Sequence, residues 1–224
     1  MKRLGLLSRI LALTALMLLA AVVMAVDFEH LLTSLTLRFG QDSAQAFRDW
    51  RKILDDAANL ETTDKLKRVN EFFNRRIRFG EDQAIWGQSD YWATPMETIG
   101  KGAGDCEDFT IAKYFSLRIL SVPTERLRLI YVKARIGGAD SQISQAHMVL
   151  AYYPAPDAEP LVLDNLITEI RPASRRPDLT PVFSFNSQGI WQGSGGGGAP
   201  DAGGVGRLSR WQDLLRRAHA EGFD

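Results

Sequence analysis

The chain has a single cysteine, and that residue stands among acids in Gly102-Ala103-Gly104-Asp105-Cys106-Glu107-Asp108-Phe109. A thiol attacks carbonyls only as the thiolate, and each neighbouring carboxylate repels that anion. Two devices can offset the repulsion. One is the positive end of a helix opening at Asp105, and the other is a hard cation held by Asp105, Glu107 and Asp108. All three side chains offer oxygen, and no second cysteine or histidine lies nearby. Calcium or another hard cation suits such donors, and zinc does not. Helix capping competes with this reading, because Asp105 at the cap and acids in the first turn complement the dipole without any metal. Three acids within four positions is more than capping requires.

A cysteine nucleophile needs a base within reach and a third group to orient that base. The histidines are His30, His147 and His219. His30 falls near the start of the mature chain and His219 in a tail beyond a glycine-rich run, so His147, opening an apolar strand, is the candidate base. The orienting acid is Asp164, set in Leu161-Val162-Leu163-Asp164-Asn165. An unpaired carboxylate inside such a run would cost several kcal/mol, so a partner is expected. Asn165 falls on the opposite strand face and is second choice. Taken singly, each of the three has an ordinary reading as a buried small hydrophobe, a core histidine or a strand end. Taken together, in the order Cys, His, Asp, they read as a thiol protease centre.

The elements that must position these residues follow from periodicity. Phe28 to Phe39 is ambiguous between helix and strand. Helices are predicted from Asp42 or Ser43 to about Ala58, from Thr63 to about Arg76, briefly from Pro95, and from Asp105 to about Leu120, where Pro123 ends the run. The aromatic loop from Glu81 to Gly100, with Trp86, Tyr91 and Trp92, either packs over the core or walls the cleft. Strands are predicted at Leu127 to Ile136, His147 to Tyr153, Leu161 to Leu166 and, more briefly, Val182 to Asn186. Arg171 to Pro181 reads as surface. The sum is α+β, an antiparallel sheet packed on the helix that carries Cys106.

The chain's 224 residues suffice for one domain with a sizeable core, and the net charge of +0 argues for neither nucleic acid nor any other charged partner. Residues 1–25 have a basic start, an apolar run from Ile10 to Met24 and small residues at Val23 and Ala25, the pattern of a secretory leader. The chain is thus expected outside the cytoplasm. The remaining organisation reads as a domain over 26–192, a glycine-rich linker over 193–206 and an amphipathic, arginine-rich tail over 207–224.

Gly104-Asp105-Cys106-Glu107-Asp108-Phe109, Ala112-Lys113-Tyr114-Phe115, His147-Met148-Val149-Leu150, Leu161-Val162-Leu163-Asp164-Asn165 and Ser184-Phe185-Asn186 resemble the bacterial transglutaminase-like cysteine proteinases. The resemblance spans roughly Trp50 to Trp191. It implies a papain-like or transglutaminase-like α+β fold, with Cys106 as nucleophile, His147 as base and Asp164 as orienter. It also implies Ca2+ at Asp105, Glu107 and Asp108. The implied substrate is a large cell-surface adhesin, cut near its N-terminus at a double-alanine site to promote biofilm dispersal. The implied regulator is a LapD-like inner-membrane cyclic di-GMP receptor. Two rivals stand beside this reading: a true transglutaminase, which shares the chemistry up to the acyl-enzyme, and an inactive binding module that keeps the fold.

Overall fold

The computed structural model describes residues 26–138, 140–194, 201, 204 and 208–223. Residues 1–25, read above as a leader, and most of the expected glycine-rich linker lie outside the described residues. Helix α1 (Phe28–Phe39) resolves the ambiguous first segment, capped by Asp27, whose side chain accepts from His30 N–H at 3.0 Å. Helices α2 (Gln41–Ala57) and α3 (Thr62–Arg76) follow as their apolar spacing predicts. They bury Phe47, Trp50, Leu54, Leu66, Val69 and Phe73 in the main core. Trp50 Nε1–H, fully enclosed there, donates to Ser116 Oγ at 2.9 Å, so the indole brings no unpaired donor into the core.

Strand β1 (Arg78–Phe79) pairs in parallel with β2 (Ala103–Gly104). Between them lie the short helices α4 (Asp82–Trp86) and α5 (Pro95–Lys101). α5 starts with a full capping box, Thr94 and Glu97 bonding each other's backbone, with proline at its first position. It stops at Gly102, whose φ of 61° lies in the left-handed region that a helix end favours and that glycine adopts without strain. One turn of chain then leads into α6 (Cys106–Ile119).

The main sheet has six strands: β3 (Leu127–Arg135), β4 (Ser144–Tyr152), β5 (Leu161–Leu163), β6 (Arg171–Pro172), β7 (Leu179–Asn186) and β8 (Gly189–Gln192), in the order β6-β5-β4-β3-β7-β8. Every pairing in it is antiparallel. β8 has no counterpart in the sequence-based reading, because Gly189-Ile190-Trp191-Gln192 is too short to show a period of its own. One face of the sheet joins the helical core through Leu127, Leu129, Met148, Leu150, Leu163 and Phe185. The other holds a smaller cluster of Ile130, Val132, Val149, Ala151, Tyr153 and Val162.

The tail forms helix α7 (Ser209–Glu221), which returns to the main core and buries Trp211, Leu214 and Ala218, with Phe223 just beyond it. Part of the linker is also attached. Ile190 and Asp201 exchange backbone hydrogen bonds at 3.0 and 3.4 Å, so Asp201 extends the sheet where sequence reading expected an unpacked spacer.

Candidate functional site

Cys106 is the first residue of α6, where backbone N–H groups have no intrahelical acceptor and the helix dipole is positive. The helix packs on β4, and Thr110 Oγ1 donates to Met148 O at 3.1 Å. This places the thiol beside the residue that follows His147. On the sheet, β4 and β5 pair Leu150 with Leu163. Asp164 follows directly on β5, so its carboxylate lies at the end of that strand, within reach of His147 on β4. His147 Nε2 and Asp164 Oδ1 are 2.8 Å apart, and both side chains are buried. Asn165, the second choice, is not the partner, and its Oδ1 is buried without a hydrogen bond among the described residues. Cys106 and His147 line one cavity of about 400 Å³, together with Phe79, Gln83, Ser89, Asp90, Tyr131 and Leu166. The single thiol and the imidazole of the second predicted strand thus share a crevice, and the acid expected after them holds the imidazole.

Asp164 is held on several sides. Its Oδ1 also accepts from Leu166 N–H at 3.0 Å, and its Oδ2 accepts from Arg176 Nη2 at 2.7 Å. Burial alone would raise this carboxyl. The His147, Leu166 and Arg176 contacts outweigh it and hold the group down at about 2. Lys113, fully buried on α6, is pushed down to about 7 by that burial, with Asp164 pulling the other way. The Asp164 carboxylate therefore has cationic groups around it and stays ionised.

The thiol is in the opposite position. Its S–H donates to Glu107 Oε2 at 2.6 Å. Burial first, then the Glu107 and Asp105 carboxylates, push the Cys106 thiol far above the usual thiol range. A reactive sulfur here needs positive charge to be added.

The acids sort differently from the sequence expectation. Asp105 and Asp108 come together, and the third member of their group is Asp82 of α4, not Glu107: one oxygen from each of the three lies within 4.8 Å of the others. Glu107, two positions beyond the helix cap, turns its carboxylate to the neighbouring thiol. Asp82 lies 23 positions before Asp105, too far for spacing to reveal it. The one hint was that an acid opened a loop dense in amides and aromatics. The expected metal set of Asp105, Glu107 and Asp108 is thus drawn by the geometry as Asp82, Asp105 and Asp108, with Glu107 set on the sulfur.

These three carboxylates fit a hard cation. Asp82 Oδ1 and Asp108 Oδ2 are buried without a hydrogen-bond partner. Burial, with the repulsion of Glu107, Asp108 and Asp82, raises Asp105 to about 9; burial, with its fellow acids, raises Asp108 to about 8. Acids packed so closely without cationic compensation would bind protons, and a divalent ion removes the need. Their frame is backbone. Tyr91 N–H donates to Asp82 Oδ2 at 2.5 Å and Ala93 N–H to Asp108 Oδ1 at 2.7 Å. The aromatic loop therefore does both things open to it. Trp92 stacks on Phe185 in the core, while Ser89 and Asp90 wall the cleft.

The family model for the bacterial transglutaminase-like cysteine proteinases matches residues 38–178. Among solved structures, Legionella pneumophila LapG is 37% identical with a TM-score of 0.70, over 85% of this chain and 97% of that one. Its EGTA-treated form gives 35% and 0.71, over 85% and 97%; its calcium-bound form gives 37% and 0.70, over 83% and 96%. No curated protein sequence matches the chain.

Proposed function

The chain belongs to the bacterial transglutaminase-like cysteine proteinases, and on that footing we propose that it is a calcium-dependent periplasmic endopeptidase with a Cys106–His147–Asp164 centre. The observation that carries the reading is the crevice shared by Cys106 and His147, whose imidazole Nε2 is occupied by Asp164. With Nε2–H donated to Asp164, Nδ1 is the nitrogen left to take the thiol proton. Sγ then attacks the peptide carbonyl carbon. The Cys106 N–H, without an intrahelical acceptor, is available to the developing oxyanion. When the C–N bond breaks, the imidazolium returns its proton to the leaving amine. A water that loses a proton to Nδ1 then attacks the thioester and frees Sγ as thiol.

Asp82, Asp105 and Asp108 would hold the calcium. Its charge would counter the acidic field that keeps the thiol protonated, and it would brace the turn at which α6 begins. The naming of calcium rests on those oxygen donors and on the calcium-bound and EGTA-treated LapG structures.

The substrate we propose is the N-terminal region of a large cell-surface adhesin, cut at a double-alanine site so that cells leave a biofilm. An inner-membrane cyclic di-GMP receptor would sequester the enzyme. The test is incubation of residues 26–224 with the N-terminal segment of a large repeat adhesin from the same genome, once with calcium and once with EGTA. Cleavage only with calcium supports the calcium-dependent endopeptidase and the adhesin substrate. Cleavage in both removes the metal requirement, amine incorporation without hydrolysis selects acyl transfer, and cleavage in neither rejects the adhesin.

A further inference from the structure

Arg176 sits in the stretch from Arg171 to Pro181 that sequence reading sent over the surface, yet it is 2% exposed. A short 3-10 turn (Ala173–Arg175) brings it inward after β6. Its Nη2 donates to Asp164 Oδ2 at 2.7 Å and to Asp178 Oδ2 at 2.7 Å, and its Nε donates to Asp178 Oδ1 at 3.0 Å. Nη1 is buried with no partner among the described residues. A buried guanidinium with an unused donor is a poor means of stabilising a fold, since a well-packed apolar side chain is often as good or better there. It is well suited to aiming a carboxylate, because its planar fork fixes direction as well as charge.

The carboxylate that it aims is the one in contact with His147. Asp164 Oδ1 receives His147 Nε2 and Leu166 N–H, while among the described residues Oδ2 receives only Arg176. Without the guanidinium the carboxylate can rotate about its terminal bond, because one oxygen is then unheld. We propose that Arg176, anchored from outside by Asp178, is a positioning residue of the Cys106–His147 centre. It holds the Asp164 carboxylate in the plane in which Oδ1 meets the imidazole, and so fixes the ring with Nδ1 left for the thiol proton. This rests on the proteinase reading given above.

The test uses residues 26–224 with calcium present and the variants R176M, R176K and D178N. Two readouts need no substrate: the rate at which iodoacetamide alkylates Cys106, the chain's single thiol, and the downfield N–H resonance of His147, assigned by its loss in H147A. R176M is expected to slow alkylation by about 10-fold or more and to broaden or shift the resonance, with R176K recovering part of both. On the adhesin segment, kcat should fall with KM unchanged. R176M that folds and melts lower but keeps the wild-type resonance and alkylation rate overturns the proposal, since a structural clamp would behave so. Should R176M not fold, D178N, at a half-buried site, decides. A several-fold slowing with a broadened resonance supports the proposal, and wild-type values of both overturn it. Wild-type protein that cleaves nothing would sink the enzyme reading alone, because the imidazole resonance still reports whether Arg176 holds Asp164.

Discussion

Cys106 and the charges around it set the behaviour of the site. A thiol bonded to Glu107 is a poor nucleophile until positive charge is supplied. Cys106→Ala should lower cleavage by about 10⁴-fold or more while changing the urea midpoint little, because the side chain is small and only partly buried. Equal cleavage by the variant would remove the nucleophile. The acids make a sharper distinction. Asp82→Asn should abolish stabilisation by added calcium, and Glu107→Gln should reduce it less, as followed in thermal melts of both variants. Asp164 also gives a pH signature. Its carboxyl is held at about 2 in the fold against 3.8 for the ordinary group. A depressed acid contributes stability that is complete above about pH 4 and is lost as pH falls towards 2. The amount is on the order of 2 kcal/mol. Asp164→Asn should flatten stability against pH across that window in urea titrations; an unchanged slope would refute the assignment.

Short elements hold the site at its edges. Gly104 precedes the helix cap, and a Cβ there would lie 2.7 Å from Asp108 Cβ and 2.9 Å from its Oδ2. Gly104→Ala must therefore displace the Asp108 carboxylate, and the measurable result should be weaker calcium binding in calorimetry without loss of the fold. Helix α7 acts on the same region from the far end of the chain. Arg217 donates to Glu97 Oε2 and Trp92 O at 2.6 Å, and Arg210 pairs with Asp90 at 2.8 Å. These contacts clamp the backbone of residues 90–93, whose N–H groups hold Asp82 and Asp108. Trp211, buried against Tyr114, Phe115 and Phe185, fixes the helix in the core. Trp211→Ala should cost about 3–5 kcal/mol in urea unfolding. A loss below 1 kcal/mol would show that the tail is not docked in solution.

At the scale of the molecule, the crevice lies where two separately built halves meet. The helical half supplies Asp82, Asp105, Cys106 and Asp108; the sheet supplies His147, and the segments that follow β5 and β6 supply Asp164 and Arg176. An ion that binds only the folded chain stabilises it by mass action, about 2.7 kcal/mol at a hundred times its Kd. Calcium should therefore raise the melting temperature of the wild-type chain and EGTA should reverse the rise. A flat response would dismiss the metal site however well its oxygens are arranged.

Local chemistry was enough to read much of this from the residues in order. His147 and Asp164 stood out because each was chemically at odds with its apolar surroundings, Cys106 because it was a lone thiol among acids, and α2, α3 and α6 followed from helical spacing of their buried residues. What the folded chain alone could decide concerns partners distant in sequence. Asp82 joins Asp105 and Asp108 only because the β1–β2 pairing brings α4 back against the start of α6. Arg176 reaches Asp164 because a turn after the edge strand folds inward, and nothing in an arginine- and proline-rich stretch marks that turn as buried. Glu107 shows the same limit: the acids drawn together are Asp82, Asp105 and Asp108, and its own carboxylate accepts from the thiol. Adjacency along the chain says which acids start together, whereas the direction in which a helix's first turn points its side chains depends on what is packed against it.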